Sequence, residues 1–211
     1  MLKRIGITQT VEKVGIKYLE YRDCLDQNWT KVASKLNSIL LPLPNLEKNL
    51  ILDYLSELNL NAIILSGGNT ISAFDKISKE ISSRRDNFEK ILLQYAFSNN
   101  IPVLGVCRGM QMINFFFGGK LAKIKGHVGI KHSLNIVDNN YKLPKVVNSF
   151  HNWSIPKNLL AKSLIPIAYD NDDNVEAFIL KEKKFIGIMW HPERESKLND
   201  LDINLIKEYI L

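Results

Sequence analysis

The chain has 211 residues, enough for one domain with a sizeable core spanning 1–211. Hydrophobic residues make up 45% and charged ones 24%, an ordinary soluble balance, and the net charge is +6 with the basic residues scattered. No apolar run approaches a membrane span and no dense basic block supports a nucleic-acid surface, whereas a small anionic substrate fits the charge.

Residues 3–8 read as a first strand that starts almost at the first residue, so no signal peptide is expected. The two cysteines, Cys24 and Cys107, are far apart, which makes a reduced cytoplasm the expected compartment. Residues 18–24 are ambiguous. Asp26 is a candidate cap for a helix running to about Lys35, and 38–41 reads as a short strand ended by Pro42. Residues 47–58 have helical period, with Leu50, Ile51, Tyr54, Leu55 and Leu58 on one face.

Residues 61–65 form a buried strand ending in Ser66-Gly67-Gly68-Asn69, a turn where backbone can approach a ligand closely. An amphipathic helix follows over 86–98, with Phe88, Leu92 and Tyr95 inward. Residues 101–106 are a buried strand, and 110–117 a buried helix stopped by Gly118 and Gly119. This alternation predicts a parallel sheet covered on both faces. Beyond Gly119 come short strand-like pieces at 134–137, 145–150, 164–169, 175–180 and 185–190, expected to be antiparallel with turns at 138–140 and 181–183. A last helix over 199–210 packs Leu201, Leu205 and Ile206. The expected class is α/β: a mostly parallel central sheet with helices on both faces plus a small antiparallel sheet.

The chemistry centres on Gly105-Val106-Cys107-Arg108-Gly109. This is a small-x-nucleophile-x-small turn from strand to helix, with sulfur in place of a hydroxyl. Such a turn strains the backbone at the nucleophile and pushes its side chain up into solvent, and the flanking glycines leave room for the neighbouring strand and helix. The helix begins at the nucleophile, so its free N–H groups and dipole favour a thiolate. The Arg108 N–H points where a carbonyl oxygen would gain charge. A structural buried cysteine is the ordinary reading of a lone thiol, and the glycines and the strand-to-helix switch argue against it here.

A thiol nucleophile needs a base. Of His127, His132, His151 and His191, the last follows a strand and precedes Pro192-Glu193. Proline forces an extended turn, so Glu193 can lie beside His191, fix its tautomer and stabilise its cation. The histidines do not fall at ligand spacing with acids or cysteines, so no metal is expected.

Gly-Val-Cys-Arg-Gly-Met-Gln at 105–111, with His191-Pro192-Glu193 late in the chain, resembles the class I (triad) glutamine amidotransferases. Leu65-Ser66-Gly67-Gly68 is similar to that family's oxyanion strand, and Val147-Asn148-Ser149-Phe150-His151 to a segment before its histidine. Arg85-Asp86-x-x-Glu89 and Gly118-Gly119-Lys120-Leu121 resemble the γ-glutamyl hydrolase branch. Two departures, Asn69-Thr70 in place of an acidic residue after the double glycine and Asn152-Trp153 in place of a second histidine, leave the acceptor side of the substrate open.

The resemblance implies cleavage of a γ-glutamyl amide through a thioester on Cys107, with His191 and Glu193 completing the triad. It implies an oxyanion site at Gly67, Gly68 and Arg108. Gln111 and the backbone around Ser133 and Leu134 would hold the glutamyl α-groups. No cofactor is implied. Within the branch, the short lysine- and asparagine-rich chain resembles enzymes of bacterial capsule biosynthesis that act on nucleotide-linked substrates. An anionic leaving group would need cations, for which Arg194, Lys131 and Arg84 are candidates. His132 and His151 either line the pocket or are structural. The competing readings are a glutaminase subunit that feeds ammonia to a synthetase partner, a hydrolase of another γ-glutamyl amine, and a non-enzymatic module on the same fold. Loss of Cys107, His191 or Glu193 would mark the last, and all three are present. The sequence leaves the oligomeric state open.

Overall fold

A computed structural model describes residues 2–78, 82–138, 140–180 and 182–211. In chain order the first half contains β1 (Lys3–Thr8), β2 (Thr10–Val14), β3 (Glu20–Cys24), α1 (Trp29–Lys35), β4 (Ser38–Leu43), α2 (Ile51–Leu58), β5 (Ala62–Leu65), α3 (Ser83–Ser98), β6 (Val103–Val106) and α4 (Arg108–Phe116). The second half contains β7 (Ala122–Lys123), β8 (Val128–Ser133), β9 (Asn135–Ile136), β10 (Val146–Phe150), β11 (Trp153–Ser154), β12 (Ile165–Tyr169), β13 (Val175–Leu180), β14 (Phe185–Ile188) and α5 (Asp200–Ile210).

One eight-stranded sheet runs β4-β1-β5-β6-β14-β13-β12-β9. The pairings from β4 through β14 are parallel, and those from β14 outward to β9 are antiparallel. Four of the eight second-half strands, β9, β12, β13 and β14, therefore extend the main sheet, and among the described residues three two-stranded pieces stand beside it. The expected antiparallel tail is corrected at β14, which pairs in parallel with β6 on one side.

The central strands are apolar on both faces, and successive residues feed two cores. Ile63, Leu65, Val103 and Phe185 pack with Ile51 and Leu55 of α2, Phe88 and Leu92 of α3, and Met110 and Ile113 of α4. Ile5, Ile7, Ile64, Leu104, Val106, Ile186 and Ile188 pack with Trp29 and Val32 of α1 and Ile203 and Ile206 of α5. Helices thus cover both faces, as the alternation predicts.

Several local expectations change. Pro42 does not end β4. It lies on an edge strand opposite Ile7, where a missing N–H costs no ladder bond on the open side. The first helix begins at Trp29, because the Asp26 carboxylate accepts from Asn28 N at 2.9 Å and shapes the turn before it. Leu50 belongs to a 3₁₀ turn ahead of α2 and is exposed, as is Leu201. Ile203 takes the inward place in α5. The ambiguous 18–24 stretch is half of the β2–β3 hairpin, and β8 is a strand that the sequence did not signal. Asn139 and Lys181, in the turns expected at 138–140 and 181–183, lie outside the described residues.

Candidate active site

Strands β5, β6 and β14 are adjacent and parallel, so their C-terminal ends open on the same edge of the sheet. From them emerge the Ser66–Asn69 loop, Cys107 and His191, in that order. Cys107 has φ +51° and ψ −106°, a strained conformation for a side chain with a Cβ. The strain is held by main-chain bonds on both sides. Its N–H donates to Ile188 O at 2.8 Å, and its carbonyl accepts from Gln111 N at 3.0 Å.

The flanking glycines are required by space. A Cβ on Gly105 would come within 2.7 Å of the Gly109 backbone, and one on Gly109 would lie 2.1 Å from the Leu65 carbonyl oxygen. One expectation is corrected here. Cys107 is only 6% exposed rather than raised into solvent, because it packs into the apolar core beneath α1 and α5.

His191 follows β14 and begins a 3₁₀ turn, Pro192–Arg194. Its Nδ1 lies 2.7 Å from Glu193 Oε1, and both side chains are buried. Asn148 on β10 fixes the main chain of His191 from both directions. Its Oδ1 accepts from His191 N at 2.9 Å, and its Nδ2 donates to His191 O at 2.8 Å. The Phe150 ring stands edge-on to the imidazole, with centroids 5.8 Å apart. A Cβ on Gly67 would lie 2.5 Å from His191 Cε1, so only glycine lets the loop close against the ring. Burial works to lower the His191 pKa. The charge and hydrogen bonding of Cys107 and the Glu193 carboxylate outweigh it and raise the pKa to about 9. At neutral pH the arrangement therefore favours an imidazolium beside the sulfur.

Behind the loop lies a buried quartet of charges. Arg85 Nε bonds Glu89 Oε1 at 2.9 Å, and Arg108 bonds both Glu89 and Asp86. Thr8 Oγ1 donates to Glu89 at 2.8 Å, and Ser72 N donates to Asp86 at 2.8 Å. The Arg85 guanidinium also donates to the carbonyls of Ser66 at 2.8 Å, Gly67 at 3.0 Å and Gly68 at 2.8 Å. This settles which way the loop faces. In a trans peptide the C=O and the next N–H point in opposite directions, so the Gly68 N–H is turned away from Arg85. Burial works to raise the Glu89 pKa, but the charges of Arg108 and Arg85 hold it below the usual carboxylate value. The Arg85-Asp86-x-x-Glu89 pattern is thus explained by the contacts it makes.

The remaining predicted residues divide. Gln111 is buried, and its Nε2 donates to Trp153 O at 2.9 Å, so its amide protons face inward. The Leu134 N–H is committed to Lys145 O at 2.9 Å and its side chain is buried, whereas Ser133 is exposed. Arg194 shares a small cleft with Thr10, Cys24, Gly67, Gly68 and Glu193, and its guanidinium lies 4.7 Å from the centre of the Phe150 ring. Lys131 is instead tied to Glu195 at 2.9 Å. Arg84 is turned to the surface, bonding Asn45 O and Glu47. His132 and His151 gather with His127 and Glu176. The sequence missed Asn148 as a positioning residue and Thr10 as part of the cleft. The first stood inside a recognised segment, and the second had no signal.

The chain is similar to known proteins over most of its length. A family model described as peptidase C26 matches residues 4–193. The γ-glutamyl-CDP-amidate hydrolase of Campylobacter jejuni is 37% identical over 210 residues, 97% of this chain and 99% of that one. A glutamine amidotransferase-like protein of Lactococcus lactis is 31% identical over 79% of each chain. The crystal structure of a glutamine amidotransferase from Thermotoga maritima has the same fold, with a TM-score of 0.67 at 16% identity over 99% of this chain and 84% of that one. Fold and family together define a class I glutamine amidotransferase-like hydrolase. The chain belongs to the peptidase C26 family. Among the described residues, no helix is long and apolar enough to cross a membrane.

Two outcomes follow from the buried charges. Replacing Arg108 by Met leaves Asp86 without its cation and Glu89 with one, and should lower unfolding stability by about 3–5 kcal/mol in urea titrations. A loss below about 0.5 kcal/mol would show that the quartet carries no such weight. In NMR titrations, the His191 ring should stay protonated through neutral pH and titrate near 9. The sign follows from the raised value: the stability it contributes is complete below about 6.5 and fades as the pH rises through about 9. An ordinary titration near 6.5 would contradict the coupling to Cys107.

Proposed function

We propose that the protein hydrolyses a γ-glutamyl amide, with Cys107 as nucleophile. The reading rests most directly on one observation: a strained, positive-φ cysteine lies within hydrogen-bonding reach of an imidazole that Glu193 holds at 2.7 Å. The sulfur attacks the γ-carbonyl carbon. The charge that develops on oxygen is received by the N–H groups of Gly68 and Arg108, one turned outward by Arg85 and the other opening α4; such donors are worth about 3 kcal/mol each. The imidazolium of His191 gives its proton to the departing nitrogen as the carbon–nitrogen bond breaks. A γ-glutamyl thioester remains. His191, now neutral, takes a proton from water as the water oxygen adds to the thioester, and glutamate leaves while the thiolate is restored. Glu193 holds the ring in the required tautomer throughout.

The Gln111 carbonyl oxygen, with its amide protons already engaged, is suited to accept from the substrate α-ammonium group, and the Ser133 backbone is the second candidate contact. The substrate we favour is γ-glutamyl-CDP-amidate, giving glutamate and cytidine diphosphoramidate for a capsular phosphoramidate. Its support is the Campylobacter jejuni relative, matched over almost the full length of both chains. Arg194 is the cation best placed for a diphosphate, because it borders the Gly67–Gly68 cleft. Lys131 and Arg84, held by Glu195 and Glu47, are weaker candidates. The site calls for no cofactor in this reaction.

Released glutamate should be measured with the isolated protein and a panel of γ-glutamyl compounds that includes glutamine and γ-glutamyl nucleotide amidates. The nucleotide amidate should be turned over fastest, and Cys107→Ala should lower kcat by roughly 10⁴-fold or more. Activity retained in Cys107→Ala would overturn the mechanism. Turnover of glutamine alone, and only with a second protein present, would favour a glutaminase that serves a synthetase partner.

A further inference from the structure

Three of the four histidines converge on one buried carboxylate next to the nucleophile. His127 precedes β8, His132 lies on β8, His151 follows β10, and Glu176 lies on β13. Each can offer one ligand atom such that all four atoms lie within 4.8 Å of one another. Glu176 is 1% exposed and His151 4%. His132 Nε2 is 3.6 Å from Glu176 Oε2, and His151 Nε2 is 3.7 Å from Glu176 Oε1.

The other nitrogens of these two rings are already engaged. His132 Nδ1 faces the Ser133 carbonyl at 3.1 Å, and His151 Nδ1 faces the Trp153 carbonyl at 3.0 Å. A carbonyl only accepts, so each Nδ1 carries the proton and each Nε2 presents a lone pair. Two imidazole lone pairs therefore confront two carboxylate oxygens. Among the described residues, all four of these atoms are buried without a hydrogen-bond partner. A proton on Glu176 serves one imidazole at most, and both separations exceed hydrogen-bonding distance.

A cation at the centre resolves it. We propose that His127, His132, His151 and Glu176 bind one divalent transition-metal ion of the zinc type, through three imidazole nitrogens and one carboxylate oxygen. Bonds of about 2.0–2.1 Å in a tetrahedron separate ligand atoms by about 3.3 Å, so the two His–Glu176 spacings of 3.6 and 3.7 Å need to close by only a few tenths of an ångström, and His127 has to move in from within 4.8 Å. Three imidazoles exclude calcium and magnesium, which prefer all-oxygen sites. The backbone carbonyls behind His132 and His151 are the outer contacts that orient metal-bound imidazoles. Four protein ligands close the coordination shell. The ion thus serves as a clamp that ties the β8–β10 ribbon to β13 of the main sheet. The clamp is independent of which amide is hydrolysed.

The full chain, stripped with a chelator and dialysed, should be titrated with zinc alone by calorimetry, with magnesium and calcium as controls. One zinc per chain should bind and raise Tm. Glu176→Gln and His132→Ala should each weaken binding by roughly 100-fold or more, and Cys107→Ala should leave it unchanged. The His132 side chain is partly exposed, so His132→Ala guards against a folding failure of the buried Glu176 variant. Cobalt substitution should give a tetrahedral spectrum without a thiolate charge-transfer band. No zinc uptake, or uptake lost in Cys107→Ala but kept in His132→Ala, would overturn the proposal.

Discussion

Four buried charges hold the candidate site together. Arg85, Asp86, Glu89 and Arg108 lie in the interior, two positive and two negative, and each bonds at least one partner of opposite sign. Charges in such a place are tolerated only when paired and hydrogen-bonded. Apolar side chains of the same volume would fill the space as well, but they would not direct the loop. Arg85 takes the carbonyls of Ser66, Gly67 and Gly68 and so decides where the next N–H points. Arg108 joins the helix that starts at Cys107 to α3 through Asp86 and Glu89. The Ser66–Gly68 loop and the proposed nucleophile are therefore positioned by the same contacts.

The sheet supplies the rest of the alignment. Three neighbouring parallel strands end in the three candidate groups, and the strained Cys107 backbone is bonded directly to Ile188, three residues before His191. Asn148 then grips His191 from β10. Sulfur, imidazole and loop belong to separate parts of the chain, yet each is held through hydrogen bonds to its own main-chain atoms. That is the preorganisation that acyl transfer requires, because donors already in place need not reorganise as charge develops.

The parts legible in the sequence were those with a local cause. The Cys107 turn could be read because its glycines at 105 and 109 answer to space, and His191-Pro192-Glu193 because three successive residues bring an imidazole to a carboxylate. The parallel half of the sheet followed from unbroken apolar strands. What stayed hidden depends on distant contacts. Pro42 ends a strand only if the strand is internal, and edge position is a property of the whole sheet. Leu50 and Leu201 match a helical stripe by spacing, but neighbouring elements leave both uncovered. The gathering of His127, His132, His151 and Glu176 shows the same limit. Its members come from three different strands or their ends, so linear spacing carried no ligand pattern although the fold brings their ligand atoms within 4.8 Å of one another.

The central claim is that residue 107, and not the other thiol, meets a γ-glutamyl carbon. The direct measurement is peptide mass spectrometry after exposure to a glutamine-derived diazoketone, which alkylates a thiolate seated in a γ-glutamyl site. One adduct on the Cys107 peptide, blocked by excess γ-glutamyl substrate and absent from the Cys24 peptide, is the predicted result. Labelling of Cys24 alone, or labelling of Cys107 that substrate does not prevent, would contradict it.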